Sequence, residues 1–244
     1  MCPAPRADLR RHADLDSLSR AAAEEVLRLA QAAVQERGRF TLGLSGGRTP
    51  VVLHRVLAAE FRHRIPWEKV HVFWGDERYV PPDDPRSNYL MAQETLLRHL
   101  ALPAANVHPM PTLLPEPARA AHCYEETLRS HFPGRWPRLD LLLLGLGADG
   151  HTASLFPRSP ALEEQSRWVL AVQAEAEPPL RLTLTLPAIN QTANIYFLVA
   201  GRDKSEALRR ALAGDAEIAV CPAAGVRPRR GSLVWWVDEE AASG

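Results

Sequence analysis

Residues 139–145 read LDLLLLG, a nearly continuous apolar run closed by Gly145. A run this short and this apolar is what a strand buried on both faces requires, and parallel sheets bury their strands in that way. Downstream, 168–173 and 181–186 are strand candidates and IYFLVA (195–200) is a strong one. Residues 203–213 have a helical pattern, and SLVWWV (232–237) is expected to close the sheet. Upstream, 117–131 reads as a helix. It follows an irregular connection over 103–117 with five prolines. Residues 87–99 read as a helix capped by Ser87, 76–85 as a loop, and VHVFWG (70–75) as a strand. Thr49 is the expected N-cap of a helix over 50–59 that starts on Pro50, and RFTLGL (39–44) forms a strand before it. Residues 15–37 repeat apolar positions at three- and four-residue steps, with Asp16 or Ser17 as the cap and Gly38 as the stop. This alternation predicts a doubly wound α/β fold with a mostly parallel sheet flanked by helices, as one domain over 1–244.

Composition narrows the function. The 244 residues are 46% hydrophobic, enough for a sizeable core. Lys plus Arg and Asp plus Glu are both 29, and a chain without basic excess is a poor partner for nucleic acid or a membrane surface. Cys2, Cys123 and Cys221 are odd in number and lack CxxC spacing. They argue for a reducing compartment and against disulfides or a zinc site. No apolar h-region precedes or follows Cys2, and no apolar run approaches ~18 residues. A cytoplasmic protein, monomeric or a small homo-oligomer, is expected. Only Lys69 and Lys204 are lysines, so the remaining 27 of the 29 basic residues are arginine.

Four stretches carry chemistry. Gly43 to Pro50 (GLSGGRTP) joins a strand to a helix start. Its backbone N–H groups and the helix dipole suit an anion, although a tight turn alone also uses glycine. The same residues fit G-x-S-x-G, which would make Ser45 a nucleophile, but too few strands precede it for that fold. In Trp74 to Pro81, Asp76, Glu77 and Arg78 stand at a strand end. There a carboxylate orients a hydroxyl or water and an arginine clamps an anion; Asn88 could reach the same crevice. Residues 145–150 (GLGADG) fit a dinucleotide pattern that Pro157 contradicts by stopping any long helix. The better reading aims Asp149 and His151 into the crevice as a carboxylate and general base. Lys204, in the first turn of a helix after Gly201, suits a phosphate or a plain surface position.

LSGGRTP, WGDERYVPPDDPRSNY and LLGLGADGHTASLFP, in this order, resemble the 6-phosphogluconolactonase family, as do RLTLTLP (181–187), Gly201–Lys204 and WWVDEEAA (235–242). The resemblance implies a fold similar to the glucosamine-6-phosphate deaminases and hydrolysis of 6-phospho-D-glucono-1,5-lactone in the oxidative pentose phosphate pathway. It implies no metal and no organic cofactor. On this reading His151 is the general base and Asp149 orients the site. Asp76 holds a sugar hydroxyl or the imidazole, and Arg78 grips substrate or steadies developing charge. Ser45, Gly46, Gly47, Arg48, Thr49 and Lys204, with Arg181, bind the phosphate. The deaminase branch carries a catalytic glutamate after its Asp-Gly-His; here Ser154-Leu155-Phe156-Pro157 follows, which favours the lactonase. A non-catalytic sugar-phosphate sensor on the same fold is the other alternative.

Overall fold

The computed structural model describes residues 8–243; Cys2 lies outside them. In chain order the elements are β1 (Asp8–His12), α1 (Leu15–Arg37), β2 (Phe40–Leu44), α2 (Arg48–Glu60), β3 (Val70–Trp74), β4 (Asp76–Arg78), α3 (Asn88–Thr95) and α4 (Pro117–His131). They continue with β5 (Leu141–Gly145), β6 (Val169–Gln173), β7 (Leu180–Leu184), α5 (Leu186–Ile189), β8 (Asn194–Val199), α6 (Ser205–Leu212), β9 (Ser232–Asp238) and α7 (Glu239–Ala242).

Six strands form a parallel sheet in the order β1-β9-β8-β5-β2-β3. Leu141, Leu142, Leu143 and Leu144 of β5 have no exposed surface, as their unbroken apolar pattern requires. The chain winds from β2 to β3 on one side and from β5 to β8 and β9 on the other. The order therefore reverses between β2 and β5, the place where such sheets open a crevice at their C-terminal edge. α1 packs against α2, β2 and β9, burying Leu18, Ala22, Val26 and Ala30.

A second sheet, β4-β7-β6, is antiparallel. Gly75 is the joint: its N–H donates to Leu44 in the parallel sheet, while its carbonyl accepts from Leu184 in the small one. Beside the joint, the Tyr124 hydroxyl from α4 accepts from the Trp74 N–H at 2.8 Å and donates to the Trp74 carbonyl at 3.2 Å.

Several expectations are corrected. Asp76 to Arg78 form a strand, because β7 supplies an antiparallel partner that no local pattern announces. β1 stands outside β9 and closes the sheet in its place. The cap of α1 is Asp14, which accepts from the Ser17 N–H at 2.7 Å in a reciprocal capping box. α2 begins two residues before Pro50, with Gly47 as a cap that has no side chain to offer, so Thr49 lies inside the helix. Ser87 does cap α3, and Gly38 ends α1 in the left-handed conformation.

Candidate active site

The loops after β8, β5, β2 and β3 leave the same edge of four adjacent strands, and a cleft of about 650 Å³ lies between them. This order is why motifs from all parts of the chain converge. Ser45–Thr49, Asp76, Arg78, Asn88, His151, Arg181 and Lys204 all line the cleft; Asp149 stands behind His151.

The imidazole is built by a tight turn. Gly147 N–H donates to the His151 carbonyl and Gly150 N–H to the Gly147 carbonyl, with Gly150 at φ +94°. This folds Asp149 back on His151: Oδ1 lies 2.6 Å from Nδ1 and 3.1 Å from the His151 N–H. Burial works to raise the Asp149 carboxyl, but its bonds to His151 outweigh burial and hold it below the usual range. The His151 side chain is 33% exposed and packs on the Phe156 ring. Asp149 is thus the imidazole's partner. Asp76, nearly buried, instead accepts from the buried Ser154 hydroxyl at 2.7 Å, which ties it to the same loop.

The opposite wall is cationic. Arg78 and Arg181 are cross-strand partners, and among the described residues neither has an ion pair. Burial, then the Arg78 charge, lowers the Arg181 pKa. Arg181 also donates to the carbonyls of Pro178 and Glu177, and Arg78 to that of Arg86. At the start of α2 no side chain caps the first N–H groups, and no acid lies in the first turn. Lys204 sits 3.1 Å from Asp203, beside Gly201, whose N–H is held by Asp238. It lies in a short 3-10 turn ahead of α6, not in the helix as expected.

Ser45 Oγ is buried without a protein partner, so no base activates it and the nucleophile reading fails. No long helix follows residues 145–150, so the dinucleotide reading fails too. Ser154 and Asp238 escaped the sequence reading, and Glu77, read there only as one of three charges at a strand end, has a structural role that reading did not give. Glu77 is buried and accepts from the N–H groups of Arg78, Asn88 and Tyr89, each at 2.7 Å, and from the Ser87 hydroxyl. Burial nevertheless raises its carboxyl pKa. It lies in β4, ten residues before the Ser87 cap of α3, so no local spacing linked it to that helix start. Asn88, held this way, turns Nδ2 to the Asp76 carbonyl at 2.9 Å.

An imidazole–carboxylate pair at the C-terminal edge of a parallel sheet, facing unpaired cations, defines an α/β enzyme. The chain belongs to the glucosamine-6-phosphate isomerase/6-phosphogluconolactonase family, whose model matches residues 13–235. It is similar to a 6-phosphogluconolactonase of Synechocystis sp., at 46% identity over 212 residues, 86% of each chain. The solved 6-phosphogluconolactonase of Trypanosoma cruzi superposes with a TM-score of 0.89 at 28% identity, covering 99% of this chain and 98% of that one. A monomeric glucosamine-6-phosphate deaminase has the same fold, with a TM-score of 0.80 at 22% identity over 97% and 99% of the two chains. Among the described residues no helix is long and apolar enough to cross a membrane.

Proposed function

We propose that the chain hydrolyses 6-phospho-D-glucono-1,5-lactone to 6-phosphogluconate, with His151 as the general base. The observation that carries this reading is the 2.6 Å contact between Asp149 Oδ1 and His151 Nδ1. A carboxylate there holds the proton on Nδ1 and leaves the Nε2 lone pair for the cleft. Nε2 takes a proton from water as the water oxygen bonds to the lactone carbonyl carbon. The tetrahedral alkoxide then collapses, the bond to the ring oxygen breaks, and the imidazolium returns its proton to that oxygen.

The phosphate binds at Ser45–Thr49 and the first turn of α2, with Lys204 and Arg48 adding charge. Arg78 and Arg181 grip the anionic substrate and offset the charge that develops on the carbonyl oxygen. Buried Ser45 Oγ, Asn88 Oδ1 and Arg78 Nε have no protein partner and line the cleft, which supports a polar ligand there. Asp76, fixed by Ser154, orients a sugar hydroxyl. Free Cys123 and Cys221 fit a reducing, cytoplasmic setting.

The test generates the lactone in situ with glucose-6-phosphate dehydrogenase and follows NADPH from 6-phosphogluconate dehydrogenase. Acceleration over spontaneous hydrolysis, reduced ~100-fold or more in His151→Ala with KM little changed, is expected. Ammonia release from glucosamine-6-phosphate without lactone hydrolysis would move the chain to the deaminase side of the family.

A further inference from the structure

At the other end of β3 lies a cluster that the catalytic cleft does not use. His71 is the second residue of β3, ~13 Å along the strand from Gly75. His108 is laid beside it by a single parallel bridge between Val107 and Val72, with the His108 N–H donating to the Val72 carbonyl at 2.9 Å. His131 is the last residue of α4. One ring nitrogen from each can be chosen so that all three lie within 4.8 Å of one another. We propose that His71, His108 and His131 form a site for one divalent transition-metal ion, zinc by geometry, with water as the fourth ligand.

Three features carry this assignment. First, His71 Nδ1 and His108 Nε2 are 3.3 Å apart. A tetrahedral ion with Zn–N bonds of about 2.05 Å needs adjacent donors ~3.3 Å apart, so two donors already span one edge. The third donor lies within 4.8 Å of both, so at most about 1.5 Å of ring shift closes the remaining edges. Second, His131 Nδ1 lies 2.9 Å from the Thr127 carbonyl, which fixes its proton there and leaves Nε2 as the ligand atom. Backbone support of this kind is the usual second partner of a metal-bound histidine. Third, the surroundings favour a borderline-soft ion over calcium or magnesium: three nitrogens, no carboxylate in the cluster, and the Phe73 ring stacked on His108 and edge-on to His131. Arg39 donates to the His131 carbonyl at 2.9 Å on the same face.

The ion would fasten the proline-rich stretch before α4 and the end of α4 to the outer strand of the parallel sheet. Its ligands are 37 and 23 residues apart, so no spacing motif marks them. The test titrates the full-length chain with Zn²⁺ alone against a chromophoric zinc indicator, and with Co²⁺ by its visible absorption. One ion per chain at micromolar free metal, with tetrahedral cobalt bands and a raised Tm, is expected. His71→Gln and His108→Gln should each weaken binding more than ~10-fold and abolish the Tm rise, with unchanged circular dichroism and lactone hydrolysis. If either variant fails to fold, His131→Gln makes the same test. His151→Asn should keep the ion, since the cleft dyad is a separate place. No zinc bound by the unmodified chain, or equal binding in the glutamine variants, would overturn the site.

Discussion

A methyl group at residue 147 would stand 2.0 Å from the His151 ring and 2.4 Å from the Asp149 carboxylate. Gly147 is therefore the space in which the dyad sits. Gly147→Ala is expected to lower kcat ~100-fold or more while the protein stays folded, measured in the coupled assay beside a circular dichroism spectrum. Asp149→Asn should leave substrate binding intact and reduce kcat, because the amide no longer imposes the Nδ1 proton. A fall in affinity with kcat retained would instead make Asp149 a binding residue. Gly46 plays the matching part on the facing wall: a Cβ there would lie 1.9 Å from Asn88 Oδ1. The sequence marked both glycines as turn formers. What each makes room for became visible only with its neighbour from another loop.

At the scale of elements, β4 and the start of α3 depend on one buried carboxylate. Glu77 gathers three backbone N–H groups that have no other acceptor among the bonds described, so Glu77→Ala leaves buried donors unpaired. A loss of ~2–4 kcal/mol in urea unfolding is expected, together with a raised KM as Arg78 and Asn88 lose their placement. Asp14→Ala should cost about 1 kcal/mol and leave kinetics untouched, since it only caps α1. These two elements also divide what sequence reveals from what it hides. The helix over 15–37 and the β5 strand were legible because their apolar period is set by burial along the element itself. β1 and β4 were not. Asp8–His12 is mostly polar because it lies at a sheet edge, and Asp76–Arg78 is three charges long. Each becomes a strand only through a partner more than a hundred residues away. The motif loops were legible as chemistry. The partner of His151 was not, because Asp76 and Asp149 are equivalent until the turn at Gly150 is folded.

For the molecule as a whole, stability should fall in mild acid. His54 is fully buried, and burial lowers its pKa from 6.5 to about 4. The unfolded chain thus takes up a proton near 6.5 that the folded one refuses until about 4. The His54 contribution is complete above 6.5, declines as pH falls through this window, and levels below it. The shift corresponds to about 3 kcal/mol from this residue. His54 Nδ1 meets the Thr95 hydroxyl at 2.9 Å, while Nε2 is buried without a partner. His54→Leu should flatten the acid limb of urea midpoints between neutral pH and the window's lower end. An unchanged slope would assign the limb to other groups.

The strand order has a consequence for how the protein is made. β1 binds the sheet only through β9, residues 8–12 against 234–238. During synthesis the first strand therefore has nothing to pair with until the last one has left the ribosome, and every other strand of the large sheet is available before then. The closing step joins residues 8–12 to 234–238, as a clasp does, and Asp238 at the end of β9 holds the Gly201 N–H beside Lys204, so a nascent chain halted before β9 would lack both the sheet edge and one wall of the cleft.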